Sequence, residues 1–228
     1  YKRQLWSNKV TKRVRPIFLT YSNGIFHLRE YEFTTPELYN SIHLIRHKKY
    51  AIQEGAINIE NIQNILNNIQ VVEEPKLPFP QADSFERVIN LCELLKQKGF
   101  ISKNDITQNY DFDYRQTNYY SSAARYLGLI KDVYENRQTG CSLTQEGFRI
   151  FNLPIVERQL EFVKLILTHT VFQNTLNLYF EKGDAPTKDE VVEIMKEAQL
   201  YNIDSEQTYR RRASTIISWI NWILGLIE

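Results

Sequence analysis

Cysteine is scarce in this chain of 228 residues: Cys92 and Cys141 are the only two. They form neither a metal-ligand spacing nor a disulfide framework, and the simple reading is a reduced, cytoplasmic protein. Cys92 falls in an apolar helical run, where a free thiol behaves as a small hydrophobe. Long apolar runs are missing as well. None approaches the ~18 residues that a membrane span requires, so no membrane partner is expected. The basic opening is not followed by an apolar segment, which excludes a signal peptide. Charge of one sign is nearly absent, with a net charge of +1. Any footprint for a polyanion must therefore be local rather than a field over the whole domain.

Recognisable catalytic motifs are also lacking. There is no P-loop, no Gly-rich dinucleotide loop and no serine nucleophile elbow. His27, His43, His47 and His169 show no metal-ligand spacing. His43 and His47 stand four apart, but no acid or cysteine is near them in sequence. Glu30-Tyr31-Glu32 places two carboxylates on one strand face, read as a solvent face. Asp111-Phe112-Asp113 reads as turn and cap chemistry.

What the chain does contain is a core-forming share of hydrophobic residues, 43%, and an uneven charge distribution. Residues 1–79 carry 11 basic and 7 acidic side chains, residues 80–152 carry 9 of each, and residues 153–228 carry 8 basic and 11 acidic. The stretch Tyr1 to Arg15 holds six Lys/Arg and no acid, which makes Lys12 and Arg13 candidates for backbone phosphates.

Pattern along the chain points to an α+β protein, mostly α. Two runs rich in β-formers, 16–21 and 25–33, flank Asn23-Gly24, the strongest short hairpin signal. Pro36 suits the first position of a short helix, 36–40. Apolar spacing at Ile59, Ile62, Ile65, Leu66 and Ile69 predicts a helix within 56–70. Three prolines between Pro75 and Pro80 read as an extended linker. The expected organisation is therefore a mixed segment 1–74, a linker 75–80, a domain 81–152 and a second helical unit 153–228.

The domain 81–152 has a recognisable order. A helix from 85 to about 97, with Asp83 and Glu86 as a capping box, is followed by Gly99 and a short helix near 103–109. A third helix runs from about Gln116 to Leu127. A strand (129–135), a turn (136–140) and a short return strand (141–143) come next, and then a helix over 144–151. Helix, short helix, turn, helix and two-stranded wing is the winged helix-turn-helix order. In 153–228, helices are expected over 156–167, 172–180, from Thr187 (a capping box with Glu190) to near Gln199, and from Ser205 onward. The two parts share punctuation: Lys98-Gly99 and Lys182-Gly183, Gln116-Thr117 and Gln207-Thr208, Leu127-Gly128-Leu129-Ile130 and Leu224-Gly225-Leu226-Ile227. This reads as a duplicated helix-turn-helix.

In the third helix, Tyr120, Ala124 and Leu127 are spaced to face the core. Arg115, Gln116, Asn118, Tyr119, Ser122 and Arg125 are left outward. Gln and Asn pair with adenine, Arg with guanine, and Ser or Tyr with phosphate. Arg137 at the wing tip is a candidate for a phosphate or the minor groove. Arg210, Arg211 and Arg212 span about 300° of a helix and cannot share a face. At least one of them is expected to pack its stem or pair with a carboxylate.

The stretch Arg15-Pro16-Ile17-Phe18-Leu19-Thr20-Tyr21-Ser22-Asn23-Gly24-Ile25-Phe26, with Tyr31-Glu32-Phe33 and Tyr39-Asn40-Ser41, resembles the end of a PD-(D/E)XK nuclease domain. Pro80-Gln81-Ala82-Asp83-Ser84-Phe85 and Tyr209 to Trp219 resemble the C-terminal winged-helix region of restriction-endonuclease-like proteins. The resemblance implies that the chain starts inside the helix that follows the catalytic strands, at Tyr1 to Trp6. An Asp and a Glu-x-Lys that bind Mg²⁺ in the family would then precede it. It implies no catalytic residue and no cofactor in this chain, with Mg²⁺ belonging to an intact type II restriction endonuclease. It also implies a small β-hairpin remnant before one or two winged helix-turn-helix units, and duplex DNA as partner. A transcriptional regulator with tandem winged helices, acting as a homodimer, and a winged-helix protein-interaction scaffold remain as alternatives.

Overall fold

The computed structural model describes residues 15–22, 25–35, 41–51, 55–102, 105, 114–135, 137–198 and 200–227, with the side chains of 22, 51 and 114–117 excepted. The fold is α+β and mostly α: eight helices and two three-stranded antiparallel sheets among the described residues. The chain divides into two compact units, Tyr1–Gln53 and Glu54–Glu228.

In the first unit, β1 (Ile17–Ser22), β2 (Ile25–Phe33) and β3 (Ile42–Ala51) form a sheet in the order β1-β2-β3. Ser22 pairs with Ile25, so the strands expected from sequence are joined across Asn23 and Gly24. Those two residues, and the helix expected over 36–40, lie outside the described residues. Strand β3 was not anticipated. Glu30 pairs with Arg46 but Tyr31 pairs with Leu44, leaving Ile45 as an extra residue in β3. A bulge of this kind inverts the period-two alternation midway along a strand. The spacing of His43 and His47 is accordingly that of a strand, not a helix. Glu30 is not a bare solvent-face carboxylate, because Arg15 reaches it at 3.0 Å and Arg46 at 3.8 Å. His27 is 2% exposed and its Nδ1 lies 3.0 Å from Nε2 of His47.

The second unit begins with Ile57 and α1 (Ile59–Asn68), capped reciprocally by Asn58 and Asn61. Ile62 and Leu66 face the core. The proline-rich stretch that follows is not a linker, and the expected boundary at 75–80 is corrected on that point. Val72 donates to the Thr168 carbonyl at 3.0 Å. Phe79 is buried, stacked on Phe172 at 5.8 Å and edge-on to Tyr126 at 5.4 Å. The Ala82 carbonyl accepts the Trp219 indole N–H at 2.8 Å in a buried setting. Proline keeps the backbone extended, and an extended segment here straps α-helices that are far apart in sequence.

The described residues carry the first helix, the third helix and the two-stranded wing in the expected order. Helix α2 (Phe85–Lys98) ends at Gly99, φ +78°, and leads into β4 (Ile101–Ser102). Helix α3 (Tyr114–Tyr126) ends at Gly128, φ +68°, before β5 (Ile130–Glu135) and β6 (Gln138–Leu143). The sheet order is β4-β6-β5, as a first strand joined to a two-stranded wing requires. The short helix expected near 103–109 and the turn Asp111-Phe112-Asp113 lie outside the described residues, apart from helical Asp105. Tyr120, Ala124 and Leu127 are buried as their spacing predicts, together with Ala123 and Tyr126. The capping box expected of Asp83 and Glu86 does not form. Ser84 is the N-cap and makes no side-chain cap bond, and Asp83 accepts instead from the Tyr120 hydroxyl at 3.0 Å. Helix α4 (Gln145–Phe151), capped by Thr144, closes the wing. Its Gly147 has no room for a side chain: a Cβ there falls 2.2 Å from the Leu129 carbonyl oxygen.

Four further helices complete the unit: α5 (Ile155–Leu167), α6 (Thr170–Lys182), α7 (Lys188–Glu197) and α8 (Glu206–Leu224). Thr187 and Glu190 form the expected capping box. Gly183 has φ +67°, like its counterpart Gly99, whereas Gly225 is right-handed at φ −71° where Gly128 is left-handed. Ile130 opens a wing strand, while Ile227 makes a single parallel bridge to Ile57. Trp219 lies at the centre, edge-on to Phe85 at 4.9 Å and stacked on Phe172 at 5.2 Å.

Trp219→Phe keeps an aromatic ring in that stack and leaves the buried Ala82 carbonyl without its donor. The expected loss is about 1–3 kcal/mol of unfolding free energy, read by urea denaturation; a loss below the error of the method contradicts the strap. Acid sensitivity offers a second check. Lys182 and the Thr187 backbone hold the Glu190 carboxyl down at about 2, against 4.5 ordinarily. A depressed folded value means that its contribution is present above about pH 5 and disappears as pH falls toward 2. Glu190→Gln should flatten the fall of melting temperature across that window.

Candidate nucleic-acid interface

The face that a winged helix offers to a duplex is built from α3 and the wing. Asn118, Tyr119 and Ser122 are half-buried on α3. Arg115 and Gln116 belong to its first turn, but their side chains lie outside the described residues, as do Lys12 and Arg13 entirely. Arg125 does not point freely outward: its Nη2 meets Asp132 on β5 at 3.0 Å and its side chain is 22% exposed. It braces the helix against the wing. Arg137 sits exposed at the wing tip with φ +61°, held out by a two-residue connection between Glu135 and Gln138.

The three consecutive arginines separate as helical geometry demands. Arg210 pairs with Asp189 at 2.7 Å and with Glu206 at 3.6 Å. Arg212 turns inward, donating to Gln81 Oε1 at 2.7 Å. Burial, and then the neighbouring Arg211 charge, pushes the Arg212 guanidinium below its ordinary value. Arg211 is exposed and makes no ion pair among the described residues.

Arg211 lines a cleft of about 390 Å³ in which α2, α3, α7 and α8 meet. Helix α8 supplies Arg211, Ser214 and Thr215, at the i, i+3, i+4 spacing that shares one face. Helix α3 supplies Tyr119 and Tyr120, helix α2 supplies Arg87, and Lys188 opens α7. Gln81 and Asp83 come from the end of the proline-rich strap. Arg87 Nη1 donates to the Tyr120 hydroxyl at 3.2 Å, and that hydroxyl donates to Asp83 at 3.0 Å. Burial raises Tyr120 above its ordinary value, with Arg87 opposing, so the phenol is neutral at physiological pH and remains a donor. Among the described residues three cations line the cleft against one carboxylate, and that carboxylate already accepts a hydrogen bond. Lys188 is exposed and, like Arg211, has no ion pair among the described residues.

Sequence reasoning named Tyr119 and Arg211 for this region but missed Arg87, Lys188, Gln81 and Asp83. Arg87 occupies the polar side of α2, and Lys188 follows a helix cap. Nothing in either local pattern indicates that they share a cleft. A separate buried cluster joins Tyr126, whose hydroxyl donates to Glu74, with His169, whose Nδ1 is 3.3 Å from the same carboxylate oxygen. The ring of His169 stacks on Tyr126 at 4.2 Å. Among the described residues no group of three or more His, Cys, Asp or Glu is placed to hold a metal ion. No helix among them is long and apolar enough to cross a membrane.

The second unit therefore joins helices α2 to α4 and their small sheet to a helical unit, with a cleft where α2, α3, α7 and α8 meet. Residues 87–228 match the family described as Domain of unknown function (DUF7226), and the chain belongs to that family. Residues 1–51 match a second, Domain of unknown function (DUF6997), over nearly the same span as the first unit. No curated protein and no solved structure matches the chain.

The bracing role of Arg125 can be tested by Asp132→Asn. Amide hydrogen exchange across β5 and β6 should quicken, with a small stability loss of about 1 kcal/mol or less. Unchanged exchange would leave the pair without a structural role.

Proposed function

We propose that this chain binds duplex DNA through its second unit, as the DNA-holding part of a restriction-type endonuclease. The observation that carries the reading is the set of cations without an ion pair among the described residues: Arg137 at the wing tip, and Arg211 and Lys188 beside α3. In this arrangement α3 faces a groove with Asn118, Tyr119 and Ser122. The three cations meet backbone phosphates, which position the protein without reading sequence. Arg125, Arg210 and Arg212 support the interface from behind, since each already has a protein partner. The restriction-type assignment rests on the resemblance of the Arg15–Phe26 and Tyr209–Trp219 stretches. Mg²⁺ chemistry in that reading belongs to residues outside those described.

The test is binding of the full chain to random-sequence duplex DNA over a series of salt concentrations. Affinity should fall steeply with salt, because each neutralised phosphate releases counterions. Replacing Arg211 and Lys188 by Ala should make the logarithmic slope shallower by about one per contact removed. Absence of binding at low salt by folded protein would sink the proposal and favour an interaction scaffold.

A further inference from the structure

We propose that the cleft between α2, α3 and α8 is a discrete site for a single nucleotide, with the phosphate held by Arg211 and Lys188 and the base lying against Tyr119. The inference uses the cleft of the preceding reading but does not depend on duplex binding.

Three observations support it. The first is size. A volume of about 390 Å³ falls in the range of small-molecule sites, roughly 300–1,000 Å³, and is far more than one phosphate group occupies. The second is charge. Among the described lining residues Arg87, Lys188 and Arg211 outnumber Asp83, and the adjacent Arg212 is held below its ordinary value by burial and then by the Arg211 charge. An anion entering the cleft relieves that repulsion. The third is the distribution of polar groups. Gln81 uses its carbonyl oxygen for Arg212, which leaves an amide NH₂ as donor. Asp83 uses one oxygen for Tyr120 and keeps the other as acceptor. A donor and an acceptor on neighbouring residues suit the edge of a base, and an aromatic wall suits its face, since stacking on Tyr tolerates any base. The Arg87–Tyr120–Asp83 chain of hydrogen bonds fixes the floor before a ligand arrives.

The site has two conceivable sources for the nucleotide, a free nucleoside monophosphate or one unit of a nucleic-acid strand, and the experiment separates them. The full chain is titrated calorimetrically with a nucleoside 5′-monophosphate, the matching nucleoside, inorganic phosphate and a short single strand. Duplex affinity is measured in parallel. The monophosphate should bind more tightly than the nucleoside or phosphate alone. Arg211→Ala should weaken it about tenfold or more, as loss of a charge-assisted contact does. Tyr119→Ala should also weaken it, Tyr119→Phe should restore it, and melting temperatures confirm that each variant is folded. A single strand that competes with the monophosphate for the site identifies the strand as a source; failure to compete identifies the free nucleotide. Phosphate binding as tightly as the nucleotide overturns the site for a base. No nucleotide binding by folded chain overturns the proposal entirely, and if duplex binding persists the preceding reading still stands. Nucleotide binding without duplex binding has the opposite meaning.

Discussion

The buried hydrogen bond from the Trp219 indole to the Ala82 carbonyl, and the aromatic packing around it, is the constraint on which the second unit depends. Two residues 137 positions apart are joined where Phe85, Phe172 and Trp219 meet. A buried carbonyl without a donor is costly, so this one bond sets where the strap ends and α2 begins. It also ties α8 to the start of α2. Because Gln81 and Asp83 flank Ala82, the same bond brings their side chains to the cleft wall.

The strap shows how composition can mislead. Prolines are frequent in linkers because they hold the chain extended and stop helices. An extended segment is equally suited to lying along a groove between helices. Here Lys76 to Pro78 stay exposed while Phe79 and Pro80 are buried, so the end of the segment belongs to the core. The division of the chain falls instead near residue 53, where no proline or glycine run announces it.

The cationic cleft draws on side chains that have little in common in sequence. Arg211, Ser214 and Thr215 lie on one helical face and are legible as such. Arg87, Lys188 and Asp83 are ordinary polar-face or helix-start residues in their own segments. The arginine triplet illustrates the same division of labour. Helical geometry alone requires the three to diverge, but only the packed structure decides which meets a carboxylate, which is buried and which faces the cleft. Arg210 has Asp189, Arg212 has Gln81, and Arg211 is left to the solvent side.

The sequence by itself determined the local elements wherever period and punctuation agreed. The β1–β2 hairpin around Asn23-Gly24, the core face Tyr120–Ala124–Leu127, the Thr187–Glu190 capping box and the succession of α2, α3 and the two wing strands are all legible, because each depends on contacts a few residues apart or on a regular period. Tertiary structure decided the rest. Strand β3 was hidden because its bulge at Ile45 breaks the alternation. The cap expected of Asp83 was lost to a hydroxyl on another helix, and Arg125 was drawn to the wing by Asp132. In each case the competing partner is distant in sequence, and only folding brings its donor or acceptor within hydrogen-bond reach.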